Sequence, residues 1–406
     1  MGYTKDTIRG FSFLSGVRLI TRILALLKNI IIARILYPSQ FGAFGIATLA
    51  LTFTEILTET GINTFLVAEK SEIDKYIDTS WLVSIFRGFI IFSLIFISAP
   101  FVSGFFKNSD SKFLLILISF VPLIRGFINP SVVKFQKNLY FHKQFFYQTS
   151  VLLVGSIFSI FLIILTHKVE SLIYAMLISA FFEMFLSFFI VTPRPKFSFK
   201  LPLFRNVLGY GKWITASTIF NYFYQHGDDI TVGRILGASS LGLYDMAYRI
   251  SLVPLSDISD VISQVTFPVY VKISGDSSRL RKAFLKTLGI VVIFTLPISL
   301  ILFIFPKEII SIIFGDRWLG AAPALRILGI FGFVRAISSF TQSVFLSLGK
   351  QKIFTLISLV GLIGLGITIV PFTLVWGITG AAGSALVGTA FTIPVISYHL
   401  YKSFRF

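Results

Sequence analysis

Apolar runs about as long as a bilayer is thick, following one another with short basic links between them, constrain this chain more than any other feature of its sequence. A hydrocarbon core of roughly 30 Å takes about 20 helical residues to cross. Twelve runs read as such spans: 10–35, 42–67, 81–105, 113–129, 148–166, 170–192, 212–235, 241–268, 287–305, 322–348, 353–374 and 379–400. Pro122 and Arg125 interrupt the fourth, and the first and tenth carry charges. The expectation is an all-α membrane protein with about twelve transmembrane helices.

Composition removes the other classes. Of the 406 residues, 55% are hydrophobic, 47 are Phe and only 13% are charged. A soluble core of this length cannot hide that much apolar surface, and a disordered chain would not carry it. The 36 Lys and Arg against 18 Asp and Glu give a net charge of +18. These cations fall mainly between the apolar runs, which points to a membrane and not to nucleic acid. Cysteine is absent, which removes disulfides, iron–sulfur centres, thiolate zinc and cysteine nucleophiles together. His142, His167, His226 and His399 show no metal-ligand spacing, so neither a metal nor a cofactor is expected. The apolar run from about Phe11 to Leu36 has no small-residue cleavage pattern after it and reads as uncleaved. No P-loop, dinucleotide fingerprint or Ser/His/Asp arrangement occurs, and the outer loops are too short for a catalytic domain. The chain is therefore read as a non-enzyme. Gly361–Gly366 (GLIGLG) lacks nucleotide-loop spacing and reads as small-residue helix packing.

Orientation follows from the cations. With the N-terminus inside, 22 Lys and Arg fall on the inner side and five on the outer, namely Lys107, Lys112, Lys168, Lys307 and Arg317. That asymmetry places both termini in the cytoplasm and requires an even number of spans.

The two halves also resemble each other. Residues 34–42 read RILYPSQFG and residues 234–242 read RILGASSLG, offset by 200 without a gap. Each block closes the first helix of its half, makes a tight outer turn and opens the second. With six spans per half the repeat is parallel, and two six-helix lobes about a central cavity form a transporter architecture. The domains are then an N-lobe at 1–192, a basic, proline-rich cytoplasmic linker at 193–211 and a C-lobe at 212–406. The linker suits an anionic inner leaflet, and one chain contains the whole cavity, so a monomer is expected.

Specific residues now carry a resemblance. GDDITVGRILGASSLGLYDMAYR at 227–249, Pro254–Asp257, TFPVY at 266–270, GDRW at 315–318 and APALRIL at 322–328 resemble the polysaccharide transporter family, the Wzx-type oligosaccharide flippases of the MOP exporter superfamily, whose fold is also that of MATE transporters. The likeness covers nearly the whole chain. It implies two lobes of six helices and alternating access. Its implied substrate is a polyprenyl-diphosphate-linked oligosaccharide, an O-antigen, capsule or exopolysaccharide repeat unit, moved across the inner membrane. The alternative within the superfamily is an ion-coupled drug or small-molecule antiporter.

Charges inside spans are the candidate site, since each costs a few kcal/mol unless paired or hydrated. Arg18 and Arg22 share a helix face and suit a lipid diphosphate. They also match Glu59 and Glu55 in depth on the next span, so mutual pairing is the competing reading. Arg326 and Arg335 are candidate C-lobe contributors to the diphosphate site. Lys28 and Asp228 occupy equivalent positions of the repeat with opposite sign, which allows an inter-lobe gate. Asp228 and Asp229 otherwise sit hydrated near the outer interface, or Asp228 takes up a proton or sodium ion. Asp245 and Arg249, four apart, are expected to pair. Arg87 is expected to snorkel, and Glu183 needs a partner that the sequence does not name. Tyr222, Tyr224, Tyr244 and Tyr248 are candidates for stacking on sugar.

Overall fold

A computed structural model describes residues 24, 27–59, 61–69, 72–198 and 211–404. Arg18 and Arg22 lie outside the described residues. No strand occurs among the described residues. The chain divides into two compact units, Met1–Tyr222 and Phe223–Phe406.

The first unit opens, in its described part, on helical residues 27–35 and continues into α1 (Pro38–Leu57). Pro38 starts α1 where its missing N–H is no loss, and the Tyr37 N–H donates to Gln40 Oε1 at 3.0 Å. The single span expected at 42–67 is instead broken. α1 ends at Leu57, Gly61 takes a left-handed conformation with φ 66°, and α2 (Ile62–Ala68) follows. Then come α3 (Asp74–Phe105), α4 (Asp110–Arg125), α5 (Val133–Lys137), α6 (Phe141–Thr166) and α7 (Glu170–Ile190). At about 1.5 Å per residue, α3 exceeds the hydrocarbon thickness and reaches into the interface. α3 and α4 touch through glycine: a Cβ on Gly88 would stand 2.7 Å from the Pro122 carbonyl, and one on Gly126 2.9 Å from the Ser84 carbonyl. Close backbone approach of this kind is how helices associate where lipid removes the hydrophobic drive.

The start of the basic linker is tied to this unit. Ser131 Oγ and Asn129 Nδ2 both donate to the Pro193 carbonyl, at 2.9 and 3.2 Å. The Lys196 N–H donates to Asp78 Oδ1 at 2.9 Å, and Phe197 lies 4.8 Å from the Trp81 ring.

The division between the units falls within α8 (Gly211–Leu236), which ends at Gly237, where a φ of 84° turns the chain into α9 (Ala238–Ile273) of the second unit. α1 and α9 thus begin 200 residues apart, as the repeated blocks predict. α10 (Ser277–Ile304) is capped by Asp276, whose Oδ1 accepts the Arg279 N–H at 2.9 Å. α11 (Pro306–Ile313), α12 (Ala322–Ser347), α13 (Gln351–Ala390) and α14 (Thr392–Phe404) complete the unit. α13 is a hairpin, not a 40-residue rod. Gly377 has φ 61° and ψ −139°, the Phe372 carbonyl occupies the space a Gly380 Cβ would need, and a Cβ on Gly388 would lie 3.0 Å from the Gly361 carbonyl. Gly361 and Gly364 are at this contact, so the 361–366 motif does pack helices.

Seven helical segments are long and apolar enough to span a bilayer, and an eighth if Asp110–Arg125 and Pro130–Lys137, bent by 70°, form one span. Twelve were expected. One of the seven, Gln351–Phe404, contains the hairpin and so holds two of the expected runs. The run at 10–35 lies mostly outside the described residues. α8 and α9 fall short because polar residues, among them Asn221, Gln225, Asp228 and Asp229 on α8 and Asp257 and Asp260 on α9, lower their hydropathy. The chain is a multi-pass membrane protein. Its outward surface carries Phe101, Phe189, Val375 and Ile367 at 68–78% exposure, as lipid contact requires, whereas a soluble surface would not.

Candidate functional site

The second unit concentrates charge where α8 and α9 run antiparallel about Gly237. Asp228 lies nine residues before that turn and Tyr244 seven after it, so the two face each other. The Tyr244 hydroxyl donates to Asp228 Oδ2 at 2.7 Å, and the Asp229 N–H donates to Asp228 Oδ1 at 3.0 Å. Asp228 is 3% exposed and Tyr244 is fully buried. Asp229 turns to His226, whose Nδ1 is 3.2 Å from Asp229 Oδ2. The buried Asp229 Oδ1 has no hydrogen-bond partner among the described residues. Asp228 is therefore buried, not hydrated at the interface. Asp245 and Arg249 pair along α9 at 2.9 Å, as their spacing predicts.

Arg335, on α12, joins this cluster. Its Nη1 donates to the Tyr248 hydroxyl at 3.2 Å, and its guanidinium lies 5.6 Å from the Tyr224 ring centre and 5.5 Å from that of Phe331. Tyr248 packs at 5.8 Å from Phe331 and 6.2 Å from Tyr244. Arg335, Tyr224, Tyr248 and Phe331, with Asp228 and the α13 hairpin, whose Leu365, Ala385, Gly388 and Thr389 close the other side, line a small cleft. Arg326 does not line this cleft. It is exposed at the first turn of α12, donates through Nε to the Phe303 carbonyl at 3.1 Å and lies 5.7 Å over the Phe303 ring. Nine residues of helix, about 13 Å of rise, separate it from Arg335.

The first unit holds a second polar network, at the break between α1 and α2. Arg87, on α3, donates through Nε to the Thr58 carbonyl at 2.9 Å and through Nη2 to the Glu55 carbonyl at 2.7 Å. The same nitrogen is 3.5 Å from Glu59 Oε2, and Glu59 Oε1 accepts the Gly61 N–H at 3.0 Å. A helix end leaves its last carbonyls unpaired and carries partial negative charge. A guanidinium satisfies both, so Arg87 acts as a helix-end clamp. The Arg125 and Arg87 charges also act on the Glu55 carboxylate. Glu183 finds its partner in Arg125, 3.6 Å away on α4, with the Tyr147 hydroxyl at 3.5 Å.

Sequence reasoning did not place His226 beside Asp229, although their i,i+3 spacing was legible. It set Tyr244 among possible sugar platforms, whereas that hydroxyl holds Asp228. Tyr222 donates to the Leu49 carbonyl at 2.9 Å within the first unit.

The fold is that of flippases and multidrug transporters of the MOP superfamily. It superposes on the lipid II flippase MurJ in an inward closed conformation with a TM-score of 0.77, at 17% identity and covering 97% of this chain and 88% of that one. An inward-facing MATE-family multidrug transporter gives 0.69 at 16% identity, covering 96% and 98%. Residues 31–323 match the family described as polysaccharide biosynthesis protein, and the chain belongs to that family. A membrane protein of the Klebsiella pneumoniae cps region is 27% identical over 97% of this chain and 81% of its own length. The lipopolysaccharide biosynthesis protein WzxC of Escherichia coli (strain K12) is 25% identical over 87% and 72%.

Proposed function

We propose that the chain is a flippase, not an enzyme, that carries polyprenyl-diphosphate-linked oligosaccharide from the inner to the outer leaflet of the cytoplasmic membrane by alternating access. Membership of the polysaccharide biosynthesis family across 31–323 carries this reading. The MurJ-like fold supports the mechanism. The chain spans twelve times, in two six-helix lobes joined by the linker at 193–211, with both termini in the cytoplasm. It works as a monomer among membrane lipids. The substrate's tail stays in the bilayer while its head group crosses between the lobes.

In this scheme Arg18 and Arg22 hold the diphosphate, with Arg335 and Arg326 contributing from the second lobe. Lys28 and Asp228 gate the outer side. Glu55 and Glu59 sit at the break in the second span, where a change of backbone is least opposed. Asp229, with a buried oxygen left over, is the better-placed carboxylate for a coupling proton or sodium ion.

The test is the sidedness of labelled lipid-linked glycan in cells depleted of this protein. Accumulation on the inner face, rescued by wild type and not by Arg18→Ala with Arg22→Ala, is expected. The buried Asp228–Asp229 pair also suits the second reading, an ion-coupled small-molecule antiporter. Normal sidedness in depleted cells that have no other flippase, with ion-driven efflux lost in Asp229→Asn, would replace the first reading by the second.

A further inference from the structure

The start of α10 gathers cations that the second unit does not balance. Arg279, Arg281, Lys282 and Lys286 are all exposed, and among the described residues none of them belongs to an ion pair. Leu280 and Phe284, between them on the helix, pack into one apolar cluster with Tyr270 of α9, Phe340 and Val344 of α12 and Leu400 of α14. That packing brings Lys272, Lys350, Lys352 and Lys402 to the same end of the unit. Against these cations stands Asp276, the one acidic residue between Val261 and Lys307, and none follows Asp316. Membrane topology asks only that basic residues gather on one side. α3, which follows α1 and α2 as α10 follows α9, carries Lys75 as its one cation between Asp74 and Phe86, with Asp74 and Asp78 against it. The cations of α10 are therefore a property of this helix and not of the repeat.

Arg279, Lys282 and Lys286 stand three and four residues apart, on the face of α10 opposite Leu280 and Phe284. The same stripe continues through Ile290, Ile293 and Leu300, which are 36%, 67% and 47% exposed, with Val291, Thr295 and Ser299 buried behind it. The 28 residues of α10 extend about 42 Å, about 12 Å beyond a hydrocarbon core of roughly 30 Å. The cationic start then lies at headgroup level and the apolar remainder among acyl chains. Lys286, the deepest cation, reaches the headgroups along its own stem. A soluble acidic partner would match the cations and leave the apolar stripe uncovered. A lipid with an anionic headgroup matches both.

We infer that this outward stripe is a binding site for an anionic phospholipid. Arg279, Lys282 and Lys286 hold the phosphate, Arg279 by its forked donors and the lysines as point charges. The acyl chains lie on Ile290, Ile293 and Leu300. Bulk phospholipid fills an outward face by mass action, which a scarce carrier lipid does not. In the orientation proposed above the leaflet is the cytoplasmic one, and neither the flippase reading nor its substrate enters the inference.

The full chain in neutral detergent is titrated with phosphatidylglycerol, and native mass spectrometry reads the dissociation constant of the first lipid retained. Phosphatidylglycerol should bind more tightly than phosphatidylcholine with the same acyl chains. Arg279→Gln, Lys282→Gln and Lys286→Gln should each weaken it about fivefold, and all three together about a hundredfold, with phosphatidylcholine binding unchanged. These side chains are exposed, and an unchanged unfolding temperature of each single variant excludes misfolding as the cause. Lys352→Gln with Lys402→Gln removes two cations from the same end of the unit but not from the stripe, and should weaken binding by less than about twofold. Glycerol 3-phosphate, which has the headgroup charge and no chains, should not displace the lipid. Equal binding of the two phospholipids, or a loss in the Lys352 and Lys402 pair equal to that of two stripe variants, would overturn the inference in favour of diffuse surface charge. Displacement by glycerol 3-phosphate would overturn it in favour of a free-anion site. Displacement by a polyprenyl diphosphate at far lower concentration than phosphatidylglycerol itself requires would overturn it in favour of the carrier lipid.

Discussion

Replacing Arg87 by Met should loosen the first unit. The guanidinium closes the C-terminal end of α1 through the Glu55 and Thr58 carbonyls, at 2.7 and 2.9 Å. Met retains much of the stem's apolar contact and removes both bonds. A hydrogen bond involving a charged group contributes about 1.5–3 kcal/mol. Arg87 is 27% exposed in its side chain, so the lower end applies to each, and the pair comes to about 3 kcal/mol. The contact with Glu59, at 3.5 Å to a side chain 38% exposed, adds no more than about 0.5 kcal/mol. For a unit of this size 1 kcal/mol moves the unfolding midpoint by about 2–4 °C, so Arg87→Met should lower it by about 6–12 °C. Glu59→Gln should lower it by no more than about 2 °C. Thermal unfolding in nanodiscs, with all variants scanned at one rate because membrane proteins unfold irreversibly, measures both. An Arg87→Met midpoint within about 1 °C of wild type, or a Glu59→Gln shift equal to it, would refute the clamp.

The α13 hairpin gives a matched pair. Gly388→Ala places a Cβ 3.0 Å from the Gly361 carbonyl and the Leu365 nitrogen, both backbone, and should cost about 1–3 kcal/mol. Gly366→Ala meets nothing within 4 Å and should be neutral or stabilising by up to about 1 kcal/mol; denaturation of the two proteins compares them. Arg125→Met, which strands the Glu183 carboxylate among apolar helices, should destabilise more than Glu183→Gln, and the double variant should recover part of the loss. Tyr244→Phe leaves Asp228 Oδ2 without its 2.7 Å donor and should cost about 1–3 kcal/mol of stability. For the proposed gate, Lys28→Asp combined with Asp228→Lys should flip better than either single change in the sidedness assay; equal loss in all three would reject the contact.

Local spacing disclosed what depends on one helix or one turn. Asp245 and Arg249 are four apart and pair. His226 and Asp229 are three apart and pair, a signal carried by i,i+3 helix spacing and not by metal-ligand spacing. Asp228 and Tyr244 were also within reach of sequence reasoning, since a turn at Gly237 brings residues on either side of it to similar depth. The break at Gly61 was not, because an apolar run reads as one span whether or not its backbone stays helical. The shortfall in spans by length and hydropathy has a different origin: α8 and α9 carry polar residues along their length, and Tyr244 of α9 donates to Asp228 of α8.

The sequence by itself determined that this chain crosses a membrane many times and that the block at 34–42 recurs at 234–242. Each of these is a one-dimensional quantity, set by run length, offset or count. Only the tertiary structure decided which embedded charges meet. Arg335 reaches Tyr248 from 87 residues away, Arg125 reaches Glu183 from another helix, and Arg87 closes a helix end on α1. A charge in a low-dielectric interior must find a partner. Which partner it finds depends on helix rotation and on the glycine contacts that set helix distance, and neither is written in the spacing of a single run.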